Sequence, residues 1–200
     1  MVPLGGPHMR YYISVGENEV ADDLYKEGLH GIEIEPCEKK RKSLFLQHRN
    51  NLIFDLAASD HAGTLHLYHL QREDGATIST TSVIGSLCSG NCLKSVEMVQ
   101  ARTIDQILYA DLVHDSRSEQ RPFIDSVFLN TGGTEYTVLR GFNLWRWIPA
   151  CVYIRVYEEN EWEYEVFGND MRLDACDVIL RGAQYRRIEN LDSYAAWSIK

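Results

Sequence analysis

Asp125 to Phe142 reads DSVFLNTGGTEYTVLRGF, and the fold turns on how this stretch is read. Val127, Phe128 and Leu129 form a short apolar run, the mark of a buried strand. Asn130, Thr131, Gly132 and Gly133 follow as a turn, with glycine supplying the backbone freedom. Tyr136, Leu139 and Phe142 then recur at helical spacing. Strand, glycine turn and helix in that order predict an α/β unit, in which ligands sit beyond the carboxyl ends of strands. A general base at such a place needs an acid or an imidazole. This turn offers an amide and hydroxyls instead.

Working outward, the same alternation recurs. RYYISVG reads as a strand ended by Gly16, and EVADDLYKEG as a short helix stopped by Gly28. GIEIEP alternates Ile32 and Ile34 with Glu33 and Glu35, and Pro36 is expected to open the next helix as its first residue. EKKRKSLFLQHR is that helix, and NLIFDLAA a third strand. GTLHLYHL alternates with Leu65, Leu67 and His69 on one side, which predicts an inserted hairpin. The polar stretch from Gln71 to Lys94 reads as a long loop of the lid type. SVEMVQA is a further strand. TIDQILYADL opens with Thr103 and carries Gln106 three residues on, a capping box. Downstream, ACVYIRVYE is a buried strand, and YRRIE and YAAWSIK close the chain as a hairpin. Trp145, Trp147 and Tyr153 read as packing between the last helix and the sheet. The expected fold is α/β: a mostly parallel sheet, helices on both faces, a C-terminal antiparallel strand and an inserted β-hairpin.

Composition narrows the function. The chain has 200 residues, 44% hydrophobic and 24% charged, with a formal net charge of -9. That balance argues against a nucleic-acid partner, because phosphate contacts need clustered Lys and Arg. The run Lys39-Lys40-Arg41-Lys42 is short and reads as the solvated face of a helix. No apolar stretch reaches the length of a membrane span. MVPLGGPHM lacks the pattern of a signal peptide and reads as a vector-derived or disordered leader, so residues 1–9 stand apart from a single domain over 10–200. The five cysteines are odd in number and irregular in spacing, which predicts reduced thiols in a cytoplasmic protein. Cys88 and Cys92, with His66 and His69, match no zinc spacing, so no metal is expected.

The order of these motifs resembles the FkbM family of S-adenosylmethionine-dependent methyltransferases, from Arg10 to Lys200. That family's first strand ends in Asp-x-Gly-Ala-Asn-x-Gly; SVGENEV keeps Gly16 and Asn18. Its second strand ends in Glu-Pro, here Glu35-Pro36, and LAASDHAGTLHLY fits the turn and hairpin after the third. Arg102-Thr103-Ile104-Asp105 matches an Arg-Thr-Leu-Asp element. The signature Ile-Asp-Val-Glu-Gly-Ala-Glu followed by Val-Leu-Lys-Gly appears as LNTGGTEYTVLRGF. Its helix half survives in Glu135, Val138, Leu139, Arg140 and Gly141. The departures are Ser14, Asn130, Gly132 and Arg155 where the family has acids, and Val20 where it has glycine.

The resemblance implies a Rossmann-like fold, S-adenosylmethionine as cofactor, and O-methylation of a small-molecule or sugar hydroxyl. It implies roles for Glu35 on the cofactor's ribose hydroxyls and Gly16 in a close backbone approach. Ser59 and Asp60 fall where the adenine edge would be read, or form a turn before Gly63. Asn18 orients the cofactor's amino-acid end, or caps the following helix. Ser14 donates a hydrogen bond to that end but offers no carboxylate to its ammonium. Asn130 positions an acceptor without taking its proton, a loss worth about 10²–10⁴-fold where a base is needed. Glu135 faces the cleft or only favours its helix N-terminus. His61 and His114 read as exposed loop residues. Because the chain begins almost at its first strand, an exposed cleft, a covering partner, a homo-oligomer or a minimal enzyme all stay open. The missing acids carry an alternative: a catalytically impaired descendant that serves as a binding or interaction module.

Overall fold

The computed structural model describes residues 10–16, 20–48, 50–72, 77–81, 91–110, 122–157, 170–188 and 193–199. The leader 1–9, Asn18, Cys88 and His114 lie outside them. In chain order the elements are β1 (Arg10–Val15), α1 (Val20–Lys26), β2 (His30–Ile34), α2 (Glu38–Gln47), β3 (Leu52–Phe54) and β4 (Ala57–Ala58). Then come β5 (Gly63–Arg72), β6 (Thr77–Thr80), β7 (Asn91–Arg102), α3 (Ile104–Leu108), β8 (Phe123–Leu129) and α4 (Glu135–Arg140). The chain closes with α5 (Leu144–Trp147), β9 (Cys151–Arg155), α6 (Asp170–Gly182), β10 (Tyr185–Arg187) and β11 (Tyr194–Ile199).

The main sheet has seven strands in the order β10-β11-β9-β8-β1-β2-β3. β1 pairs in parallel with β2 and β8, β2 with β3, and β8 with β9. β11 runs antiparallel to both of its neighbours. Side chains alternate across β1, so Tyr11, Ile13 and Val15 pack with Ile107 of α3, Val138 of α4 and Leu180 of α6. Tyr12 points the other way, to Ala21, Leu24 and Leu29. Both faces are thus covered by helices, as expected. α2 differs, since none of its residues is fully buried. It gains less than the roughly 1.5–3 kcal/mol that each fully buried apolar side chain provides. Polar ties hold it instead: Arg41 Nη1 donates to the Glu35 and Pro36 carbonyls and pairs with Asp55 at 2.6 Å.

Several expectations need correction. Pro36 precedes the helix it was expected to open; Cys37 is the N-cap and Glu38 the first helical residue. NLIFDLAA is two strands, because the chain bends at Asp55 and Leu56 and Ala57–Ala58 joins a second sheet of order β4-β7-β5-β6. In β5 Leu70 and not His69 follows Leu67 into the interior, at the point where the pairing with β7 passes over Lys94. Part of the expected 71–94 loop is strand: Thr77–Thr80 pairs antiparallel with β5. Helix α6 was not foreseen. Of the aromatic trio, Trp147 is buried, Trp145 is 59% exposed, and Tyr153 stacks on Phe128 across the sheet from α6.

Other expectations hold to the atom. Thr103 Oγ1 accepts from the Gln106 N–H and Gln106 Oε1 from the Thr103 N–H, each at 3.1 Å. Asp105 Oδ1 accepts from the Asn143 N–H and from Trp147 Nε1, which fastens α3 to α5. Gly141 lets the end of α4 meet β4; a Cβ there would lie 2.0 Å from the Ser59 carbonyl oxygen.

Candidate functional site

Three parallel strands end side by side, and their ends build the site. After β1 the chain turns at Gly16, whose φ of +81° suits glycine. Its N–H donates to the Ile34 carbonyl at 3.0 Å. A Cβ on Gly16 would fall 2.0 Å from the Asn130 carbonyl oxygen, so only glycine fits between β1 and β8. Past β2, Glu35 is 4% exposed, and its Oε1 accepts the Cys37 N–H at 2.7 Å. Past β8, the Asn130 N–H donates to the Val15 carbonyl at 2.9 Å.

Gly16, Glu35 and Asn130 border a hollow of about 430 Å³, counting the space open to solvent. Ala57, Ala58 and Leu67 give it an apolar wall, and β6 lies along it with Ser79 and Thr80. Thr80 Oγ1 donates to the Gly132 carbonyl at 2.8 Å, which ties the inserted hairpin to the turn after β8. In that turn Gly132 and Gly133 both take positive φ, 64° and 92°. Glu35 is the only carboxylate in the described lining, and Lys40 the only ammonium. Val20, at the start of α1, lies outside that lining.

The residues singled out from sequence divide accordingly. Gly16, Glu35 and Asn130 meet at the hollow. Ser14 is buried in β1 and its hydroxyl donates to the Gly16 carbonyl at 3.2 Å, outside the lining. Ser59 and Asp60 lie beyond β4, also outside it. The Asp60 carboxyl is held below its ordinary range, first by the bond from His61 Nδ1 and then by the charge of Arg140. Glu135 is fully buried. Its Oε1 accepts the N–H groups of Thr131 and Gly133, and its Oε2 pairs with Arg172 at 3.1 Å. It braces the turn and is not in the lining. His69 is engaged by Ser79 and Glu97.

Sequence reasoning missed two groups. One is the set around Asn130: Tyr157 donates its hydroxyl to Asn130 Oδ1 at 3.3 Å, and Arg172 donates to the Arg155 carbonyl at 2.6 Å. The other lies on the α1 side, where Glu33 meets Tyr12, Asn51 and His48. Cys37, Cys151 and Cys176 are free thiols. Burial, with Glu135 nearby, pushes Cys176 up to about 12, so it stays protonated.

A parallel sheet that ends in a reversed penultimate strand, with a hollow at the ends of β1, β2 and β8, is a Rossmann-like methyltransferase fold. The crystal structure of methyltransferase FkbM from Methylobacillus flagellatus KT is similar to it over 95% of this chain, with a TM-score of 0.52 and 12% identity. The likeness covers 43% of that chain, and it shows the fold alone. No family model and no curated protein matches the sequence. Among the described residues no helix is long and apolar enough to cross a membrane.

Proposed function

We propose that the protein binds S-adenosylmethionine in the hollow and transfers its methyl group to oxygen of a small molecule or carbohydrate, as a methyltransferase of FkbM type. The observation that carries this reading is Glu35: a buried carboxylate at a strand end, bordering a hollow that also meets the Gly16 turn. The residues present fit the cofactor. A carboxylate suits two ribose hydroxyls, and the turn admits a close approach. Thr131 Oγ1, buried with no hydrogen-bond partner among the described residues, borders the same space.

When bound, the cofactor supplies an electrophilic methyl group with an excellent leaving group, so the protein's share is positioning. Glu35 holds the ribose and Gly16 the neighbouring backbone. Asn130 and Thr131 orient the acceptor. Glu135 acts through them by fixing the Thr131 and Gly133 amides. Ser14, Ser59 and Asp60 support the strand ends, and Asn18 keeps its proposed place at the amino-acid end. Three thiols without disulfides support a reducing, cytoplasmic setting. Calorimetry with S-adenosylmethionine and S-adenosylhomocysteine tests the reading. Saturable binding of both is expected, and no heat at millimolar ligand from a folded protein would sink it.

A second reading, a binding module without catalysis, is favoured by Asn130 in place of an acid and by Glu135 being engaged with Arg172. Asn130→Asp separates the two readings in a methyl-transfer assay. A module gains nothing from it, whereas an enzyme changes its rate. Gly132→Glu is a poorer probe, since a side chain at φ +64° is strained.

A further inference from the structure

Ser79 of β6 borders the hollow, and its Oγ lies 2.9 Å from His69 Nδ1 on β5. The two residues face each other across the antiparallel pair of β5 and β6. On the other side of the ring, His69 Nε2 lies 2.9 Å from Glu97 Oε1 on β7. Three neighbouring strands of the second sheet thus align a hydroxyl, an imidazole and a carboxylate. An ionised carboxylate only accepts, so Nε2 donates to Glu97. In the neutral ring Nδ1 is then the acceptor, and the Ser79 hydroxyl donates to it. A hydroxyl held by a base that a third group orients is the arrangement of an activated hydroxyl. Its place beside the β8 turn is set by the bond from Thr80 Oγ1 to the Gly132 carbonyl. Ser79 and Thr131 each adjoin one partner of that bond, and both border the hollow.

We propose, resting on the cofactor reading above, that Ser79, His69 and Glu97 form a proton relay, and that the methyl acceptor is a neutral hydroxyl compound whose proton they take. Ser79 touches the acceptor, while His69 and Glu97 act through it. As the acceptor oxygen bonds the methyl carbon, its proton passes to Ser79 Oγ and the Ser79 proton to His69 Nδ1. The methyl–sulfur bond breaks and its electron pair stays on sulfur. A methyl ether, a neutral thioether and an imidazolium beside Glu97 result, so the positive charge has moved from sulfur to the ring. The relay provides from the inserted hairpin the base that the Asn130 amide cannot be, a contribution of about 10²–10⁴-fold.

The test reads the proton transfer from Ser79 to His69 and needs no acceptor. The probe is diisopropyl fluorophosphate: Ser79 Oγ bonds phosphorus, fluoride leaves, and His69 takes the proton. Mass spectrometry of the digested protein should find Ser79 labelled about tenfold faster or more than any other serine. His69→Gln should slow that labelling by about 10²-fold or more. Glu97→Gln should slow it by less, and Glu97→Asp should keep most of the parent rate, each variant being shown folded by its unfolding curve. A polar pair with a merely structural role would leave Ser79 no more reactive than other serines. Saturating S-adenosylhomocysteine should leave the parent rate within about threefold, because the acceptor side stays open. The inference is overturned if Ser79 is not labelled preferentially, if His69→Gln and Glu97→Gln both label at the parent rate, or if S-adenosylhomocysteine blocks the label. Calorimetry with S-adenosylhomocysteine alone reports on the cofactor reading. Its failure with Ser79 labelled removes that reading and the methyl-transfer role of the relay with it, whereas binding without the label removes this inference alone.

Discussion

Glu33 and Glu35 leave the same face of β2 two residues apart, yet one is enclosed by side chains and the other borders the hollow. Glu33 Oε1 accepts from Tyr12 at 2.9 Å and from Asn51 at 2.6 Å, and lies 2.7 Å from His48 Nδ1. His48 Nε2 in turn lies 2.8 Å from Asp22 of α1. This cluster fastens α1, β1, β2 and the end of α2, where apolar burial is scarce. Glu35 sits one residue past the last paired position of β2, where the sheet stops and a ligand can enter. Chemically alike acids thus differ in role because of what lies above them. The enclosed acid is tied into the packing, whereas the bordering acid is the one proposed above to bind.

Breaking the comparison starts at its enclosed side. Glu33→Ala should strand His48, Tyr12 and Asn51 without their shared acceptor. Each buried donor left without its acceptor costs about 1–3 kcal/mol, and urea unfolding would register the sum. Glu35→Gln keeps an acceptor for the Cys37 N–H and should stay within about 1 kcal/mol of the parent in the same assay.

Backbone contacts sharpen the contrast at a smaller scale. Gly141→Ala puts a Cβ against the Ser59 carbonyl and should cost about 1–3 kcal/mol. Gly182→Ala, at the end of α6 with nothing within 4 Å of the new atom, should instead gain up to about 1 kcal/mol. Thermal unfolding of the two variants side by side checks both signs.

The smallest effect belongs to a third acid, Asp60. Its folded pKa is lowered, so its contribution to stability is present above the ordinary carboxylate value of about 3.9. That contribution fades as pH falls through the folded value. Asp60→Asn should lower the melting temperature slightly at pH 7, and the difference should vanish in strong acid.

Where periodicity and local chemistry decide, the sequence was legible. The β8 strand, its glycine turn and the α4 helix stand where the pattern put them, as do the Thr103 capping box and the closing antiparallel pair. Helix α6 carried a signal that went unread: Leu173, Cys176 and Leu180 recur at helical spacing and are all buried. The division of NLIFDLAA was not readable, because a bend between two sheets leaves an apolar run unchanged. Of the site, Gly16, Glu35 and Asn130 were legible through their strand ends. Glu33 was not, since alternating Ile and Glu looks the same whether the acids face water or His48. Arg172 and Tyr157 were invisible for a related reason: they reach the turn after β8 from elements distant in the chain.

The claim that matters most is that Glu35 holds a ligand. The direct measurement is a calorimetric titration of the parent protein and Glu35→Gln with S-adenosylhomocysteine, each shown folded by its unfolding curve. The account predicts binding by the parent and a loss of about tenfold or more in the variant, the scale of a charge-assisted bond. Equal affinities, or no binding by the parent, would contradict it.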